Sequence, residues 1–349
     1  MNSIRPSELE KIPDNELIDE NQIHDELLYI SNLANLYAKN ARSKNTEKSY
    51  RSDWQDFEFW CRSKKLNALP ADPHTIAGYL ADRAANTFND KKGIERLQLK
   101  VSSLVRRLSS IGLAHRLKGY ELDRKHQSIQ ETLKGIKNTH GVAQVRKEPI
   151  LVKDLRLIVQ AILTEIDGKI SLTGIRDRAL LILGFAGAFR RSELVSLEIK
   201  DLKLARDGII VLLKRSKTDQ QGEGREVAIP YGSNPLTCPV RALQDWLNAA
   251  NITNGPVFRS INRHEQISLR SLTSQSVALI VKRRVLDTEK VFTFSGHSLR
   301  AGFATTAAMA GIPEYAIMKQ TGHKRSDTIK KYIRAGNFWR DNAASRVGL

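Results

Sequence analysis

Apolar residues recur at helical spacing along most of the chain. Leu27, Leu28, Ile30, Leu33, Leu36 and Tyr37 predict one helix, and Tyr50, Trp54, Phe57 and Cys61 fall on one face of a second that Thr46 is placed to cap. A third is predicted from about Gly93 to Ser110, where Leu97, Val101, Leu104, Leu108 and Ile111 share a side. At about 100° per residue, Lys92, Arg96, Lys100 and Arg107 line up about a third of a turn from that side, with Arg106 next to them. One face packs and its neighbour is basic, which fits either a solvated charged face or contact with a polyanion. The polar run from Asn138 to Pro149 then interrupts the pattern and reads as a linker.

Beyond it, Leu155, Ile158, Ile162 and Ile166 mark a helix, and Arg176 to Leu197 contains a strongly apolar one. The period then shortens. Gly208 to Lys214 and Arg225 to Ile229 are β-like runs joined by a polar segment that ends in Gly222-Glu223-Gly224, the pattern of a long hairpin. Helices resume near Pro239 and continue towards the C-terminus. The expected fold class is therefore mainly α with a small antiparallel β-sheet. At 349 residues two domains are expected. Residues 1–24 are expected to form a disordered leader, 25–138 an N-terminal helical bundle, 139–149 the linker, and 150–349 a C-terminal mixed α/β domain.

Charge narrows the choice of partner. The formal net charge is +18 and the isoelectric point about 9.9, so the partner is expected to be polyanionic, a nucleic acid or an acidic membrane surface. Residues 1–26 hold eight acids against Arg5 and Lys11, a local charge of −6, which leaves +24 on the remainder. That leader either screens the basic body or is a solvated tail. The longest apolar run, Ala179 to Phe189, is much shorter than the roughly 20 residues of a membrane helix. The first residues also lack the apolar stretch of an export signal. Nucleic acid becomes the favoured partner. Cys61 and Cys238 are the only cysteines, with no Cys/His spacing for zinc, so a reducing compartment and no metal are expected.

Five groups carry candidate chemistry, and each alone has an ordinary structural reading. Arg190 and Glu193 are three apart at the end of the predicted apolar helix. They form either a surface ion pair or a guanidinium fork for a phosphate with a carboxylate to orient it. Lys217 lies in the turn of the predicted hairpin, either solvated or placed to protonate a departing sugar oxygen. His297 and Arg300 repeat the three-residue spacing and pair an acid/base group with a second phosphate clamp, unless the histidine merely caps a helix. His323 precedes a helical stretch, a place suited to anions. Tyr332 sits in Lys330-Lys-Tyr-Ile-Arg334. It is either a packing tyrosine or a nucleophile, and a phenol attacks well near neutral pH only with help from cations and a base.

Taken in order, Arg, Lys, His-x-x-Arg, His and Tyr resemble the tyrosine recombinase (phage integrase) family from about Arg176 to Ile333. Arg190-Arg-Ser-Glu-Leu194 resembles its R-x-x-E-L motif, His297-Ser-Leu-Arg300 its H-x-x-R, and Gly322-His323 its G-H element, with Tyr332 nine positions later. The resemblance implies a site-specific recombinase in which Tyr332 attacks DNA and forms a 3′-phosphotyrosine. It implies that Arg190, Arg300 and His323 hold phosphate oxygens, His297 takes the phenolic proton, Lys217 protonates the leaving 5′ oxygen and Glu193 supports them. Such chemistry needs no nucleotide cofactor and no metal. The N-terminal domain becomes a core DNA-binding domain with Lys92, Arg96, Lys100, Arg106 and Arg107 as candidate contacts. Implied partners are double-stranded DNA with an inverted-repeat site and three further copies of the chain, a homotetramer on DNA from free monomers. Location in the cytoplasm at the nucleoid follows. The segment Gly336 to Ser345 resembles the family's last helix, which docks on a neighbouring protomer, although Phe338 and Trp339 can also pack within one chain. Two rivals use the same residues, a topoisomerase that relaxes supercoils and a catalytically silent DNA binder. The silent binder is expected to lack one of the six groups, and none is missing.

Overall fold

The computed structural model describes residues 28, 30, 42–85, 87–90, 92–142, 147–164, 170–214, 223–286 and 294–336. Of the first predicted helix only Leu28 and Ile30, both helical and exposed, belong to this set. The acidic leader, Ile166, Lys217 and the segment after Gly336 lie outside the described residues. Two compact units divide the chain, Met1–Gln144 and Val145–Leu349. They are mainly helical with small antiparallel sheets.

The first unit contains α1 (Lys44–Ser63), α2 (Pro73–Ala85), a short hairpin of β1 (Phe88–Asn89) and β2 (Glu95–Arg96), α3 (Val101–Leu117) and α4 (Gln127–His140). Apolar faces at helical spacing meet in a core of Phe57, Cys61, Ile76, Leu80, Leu104, Leu108, Ile111, Ile129 and Leu133. The cap of α1 is Ser43, whose Oγ accepts from the Thr46 amide at 3.3 Å, so Thr46 is the third helical residue and not the cap. α4 continues through His140, so Asn138 to His140 of the predicted linker are helical.

The basic helix predicted from Gly93 does not form there. Asp90 Oδ1 accepts from the amides of Lys92 at 2.8 Å and Ile94 at 3.1 Å, and Gly93 takes a left-handed φ of 72°. These local bonds hold Asp90, Lys92, Gly93 and Ile94 in a turn that competes successfully with helix, and α3 begins only at Val101. Leu97, predicted to pack, is 76% exposed. Lys92 therefore sits in the hairpin turn, Arg96 on β2 paired with Asp90 at 2.9 Å, and Lys100 at the cap of α3, not along one helix face. Arg106 pairs with Asp53 at 2.9 Å. Arg107 turns inward instead of facing a partner. Its guanidinium reaches the Asp56 carboxylate and the Tyr79 hydroxyl, and its side chain is only 11% exposed. Two buried carboxylates on α1 need cations: Arg106 and Arg107 supply them to Asp53, and Arg83 and Arg107 to Asp56.

The second unit is built on α6 (Leu172–Ala186), whose residues Ala179 to Gly184 are all buried. α5 (Val152–Leu163), α8 (Pro239–Ala249) and α10 (Ser298–Met309) pack against it. A meander of β3 (Leu202–Ala205), β4 (Gly208–Leu213) and β5 (Arg225–Pro230) pairs β4 with β5 in the register Ile209 to Ile229 and Val211 to Val227, which sends those four side chains into the core. A second hairpin, β6 (Arg259–Ile261) with β7 (Ile267–Ser271), interrupts what the sequence pattern reads as continuous helix. α9 (Ser274–Leu286) follows it. Its Arg283 and Arg284 join Arg176 on the fully buried Asp177, which satisfies that charge.

The apolar helix expected within Arg176 to Leu197 is α6, and a second helix follows it in the same stretch. α6 ends at Ala186, Gly187 and Ala188 turn the chain, and a new short helix, α7 (Arg191–Val195), starts beyond the turn. Ala188 holds a left-handed φ of 48°, a conformation that costs an alanine about 1–2 kcal/mol. The compensation is a buried contact: the Ala188 carbonyl receives the Arg300 guanidinium. Among the described residues, no helix is long and apolar enough to cross a membrane.

Candidate active site

The break after α6 puts Arg190 at the cap of α7, beyond the end of the apolar helix rather than on its last turn. Glu193, three residues on and 1% exposed, folds back to it. Its Oε2 accepts from the Arg190 amide at 2.8 Å and its Oε1 from Arg190 Nη1 at 2.5 Å. A carboxylate in the first turn also suits the positive end of the helix. Glu193 thus fixes Arg190 by two bonds, one at the backbone and one at the guanidinium.

α10 carries the second pair. His297 is its exposed cap residue, and Arg300 lies in the first turn, buried to 1%. Arg300 Nη1 donates to the Ala188 carbonyl at 2.8 Å, and Nη2 donates to His323 Nε2 at 3.2 Å. α11 (Glu314–Thr321) ends at Gly322, left-handed at φ 68°, and the next residue is His323. The Thr321 hydroxyl bonds to His323 Nδ1 at 2.7 Å and to the Ile317 carbonyl at 2.7 Å, so both ring nitrogens are held. α12 (Ser326–Gly336) packs on α10 and α11, where Ile329 joins Ala304 and Ala308 of α10 and Ile317 of α11, with Tyr332 and Ile333 beside them. That packing brings the Tyr332 hydroxyl to 2.9 Å from His297 Nε2 and its ring to 6.3 Å from that of His323.

The electrostatics of the site favour an anion. Burial, followed by the charge of Arg190, lowers the Arg300 guanidinium to about 10, while Glu193 opposes the shift. Arg300 stays charged at neutral pH. Burial, then Arg300 and Arg190, lower the His323 imidazole to about 4, so it is neutral and accepts from Arg300 in the absence of a ligand. A third guanidinium, Arg225 on β5, is lowered first by burial, with Glu193 opposing and Arg190 adding to the effect. Clustered cations in a poorly solvated pocket favour a group with several anionic oxygens.

Arg190, Glu193, His297, Arg300, His323 and Tyr332 are therefore gathered from four separate stretches of one unit. Lys217 lies outside the described residues, between β4 and β5. The sequence pattern misses Ala188, Thr321 and Arg225. Thr321 stands two residues before His323, a position from which its hydroxyl reaches the ring, whereas Arg225 carries no local signal beyond its place at the start of a strand.

Residues 152–337 match the phage integrase family. This chain belongs to that family. An integrase/recombinase xerD homolog from Selenomonas ruminantium is 38% identical over 341 residues, which cover 97% of this chain and 95% of that protein. The recombinase cre of Escherichia phage P1 is 22% identical over 311 residues, 85% of each. In fold, the tyrosine recombinase is similar to lambda integrase residues 75–356, solved as a dimer bound to a COC′ core site. The TM-score is 0.52 at 16% identity, over 87% of this chain and 94% of that one. The tyrosine recombinase is a site-specific recombinase, and the alternative of a topoisomerase falls away.

Proposed function

We propose that this recombinase cleaves double-stranded DNA by attack of Tyr332 Oη on a backbone phosphorus, forming a 3′-phosphotyrosine and releasing a 5′ hydroxyl, and reseals it by the reverse reaction. The P–O5′ bond breaks as the P–Oη bond forms. The phenolic proton passes to His297, and Lys217 protonates the departing 5′ oxygen. One phosphate ester replaces another, so no external energy source is needed. Arg190, Arg300 and His323 hold the non-bridging oxygens, with Glu193 orienting Arg190. A phosphate entering the cluster offsets the cations that keep His323 neutral, which favours its protonation and lets it donate. The observation that carries this reading is the 2.9 Å contact between His297 Nε2 and Tyr332 Oη beside the buried Arg300. It lies within the 2.6–3.2 Å range, about the span of a hydrogen bond, expected of a base and its nucleophile.

The functional unit is a homotetramer on two inverted-repeat sites, assembled from free monomers at the nucleoid. Support comes from an apolar groove of about 620 Å³ lined by Val152, Phe185, Tyr231, Phe303, Ala307 and Ile312, a fit for Phe338 and Trp339 of a neighbouring subunit's C-terminal segment. The solved lambda integrase tetramer bound to a Holliday junction, with a TM-score of 0.52, has the same fold. Lys92, Arg96, Lys100 and Arg106 remain exposed and are assigned to the phosphate backbone, while Arg107 is assigned to the core.

The role of Lys217 is tested by replacing the bridging 5′ oxygen with sulfur, a leaving group that departs without a proton. Lys217→Ala is expected to slow cleavage of ordinary DNA by roughly 10²–10⁴-fold and to cut the sulfur-bridged strand at nearly the normal rate. Equal slowing on both substrates contradicts the assignment. Mass measurement on paired sites tests the assembly. Deleting the residues after Gly336 is expected to leave single-site cleavage and remove the tetramer.

A further inference from the structure

Three segments carry groups assigned to the phosphate: the turn after α6 with Arg190, the connection between β4 and β5 with Lys217, and the turn after α11 with His323. Two residues without an assigned role join the end of α6, β5 and the end of α11. The Gln320 side chain donates through Nε2 to the carbonyl of Ala186, the last residue of α6, at 2.9 Å, and to that of Ala228 on β5 at 3.3 Å. The Gln320 carbonyl in turn accepts from Arg225 Nη1 at 3.1 Å, with the Lys319 carbonyl at 3.4 Å. One end of α11 is therefore bonded to α6 and to the β5 side of the hairpin.

Arg225 also lies against the residue that precedes His323. A Cβ on Gly322 would come to 2.8 Å from Arg225 Nε and 2.9 Å from its Cζ. Glycine is needed there both for this approach and for the left-handed φ. Arg225 Nε and Nη2 are buried without hydrogen-bond partners. Unsatisfied buried donors are uncommon and costly. Shut off from solvent, those donors are badly placed to touch DNA themselves.

We propose that Arg225 and Gln320 form a positioning bracket that sets the His323 turn against the Arg190 turn, with Arg225 acting on the reaction through His323 and not through its own contact with DNA. The inference rests on the reading of His323 as a ligand of the phosphate. A displacement of about 1 Å in such a group costs roughly 10²-fold in rate, so Arg225→Ala is expected to slow single-turnover cleavage by about that factor with DNA affinity unchanged. Arg225→Lys, which keeps the charge and a donor for the carbonyls, is expected to recover most of the loss.

A double-mutant cycle with His323→Ala separates the possibilities, read as the rate of covalent complex formation on a nicked duplex. Arg225→Ala is expected to add less than about threefold to the loss already caused by His323→Ala, since coupled residues are strongly non-additive. If Arg225→Ala multiplies the two losses, or lowers affinity in place of rate, the bracket is wrong while the role of His323 stands. If His323→Ala alone cleaves as fast as the wild type, the reading of His323 fails and the bracket loses its target. Gln320→Met removes the other half of the bracket, the bonds to Ala186 and Ala228, without a change of charge and leaves the Gln320 carbonyl to Arg225. It is expected to show the same non-additivity, so the cycle still discriminates if Arg225→Ala does not fold.

Discussion

Replacing His297 by alanine isolates the base. Its imidazole nitrogen stands 2.9 Å from the Tyr332 hydroxyl, close enough to accept the proton directly. A phenol in water is only about 10⁻³ ionised at pH 7, so a base that removes this deficit contributes about 10³ in rate, or about 4 kcal/mol of barrier. His297 is exposed, so its truncation is expected to leave stability within about 0.5 kcal/mol of the wild type. The assay is single-turnover formation of the covalent complex on a nicked duplex, from which the cleaved fragment diffuses away. The wild-type rate is expected to level off as pH rises, and the variant to start about 10³ lower and keep rising as hydroxide takes over deprotonation. A loss smaller than about tenfold, or a variant profile parallel to that of the wild type, would rule out His297 as the base.

The crowding of Arg190, Arg225 and Arg300 in one pocket makes inorganic phosphate or vanadate a stabilising ligand. Either is expected to raise the melting temperature by an amount equivalent to about 2.7 kcal/mol at a hundred times its dissociation constant, and Arg190→Ala is expected to abolish the shift. His323 takes up its proton near pH 6.5 in the unfolded chain but only near 4 when folded. Its contribution to stability is therefore present above about pH 6.5 and lost as pH falls towards 4, and His323→Asn is expected to flatten urea midpoints over that window. In the first unit, Asp56→Ala removes the buried carboxylate that Arg83 and Arg107 share, leaving Arg83 only the partly exposed Asp82 and Arg107 only Asp53 at 3.8 Å. It is expected to cost about 3–5 kcal/mol in denaturant melts, whereas an outward-facing Arg107 would make the change nearly neutral.

Local pattern is enough where side chains answer to their own helix. Phe57 and Cys61, then Leu104, Leu108 and Ile111, are buried at the spacing that predicts them. Arg190, His297, Arg300, His323 and Tyr332, which the fold gathers, are likewise legible because they lie in short local motifs, whereas Lys217 falls outside the described residues. What escapes depends on partners remote in the chain. Arg107 looks like the rest of a basic stripe until Asp53 and Asp56, some fifty residues earlier, draw it inward. The break at Ala188 is stabilised by Arg300, 112 residues on, and no periodicity within residues 176–197 reports that contact. The turn at Asp90 is readable in principle, since an aspartate three residues before a glycine is a local signal, but the apolar spacing that follows outweighs it. Arg225 gains its meaning only from the end of α11, 94 and 95 residues away.

The covalent bond at Tyr332 can be sought without knowing the target. The recombinase is mixed with a nicked duplex library of random sequence and denatured in detergent, and only DNA that remains attached to the protein is sequenced. One inverted-repeat consensus, joined through its 3′ phosphate to the wild type and absent from Tyr332→Phe, is the expected result. DNA that stays attached to Tyr332→Phe, or bound DNA that never becomes attached to either protein, would contradict attack by this tyrosine.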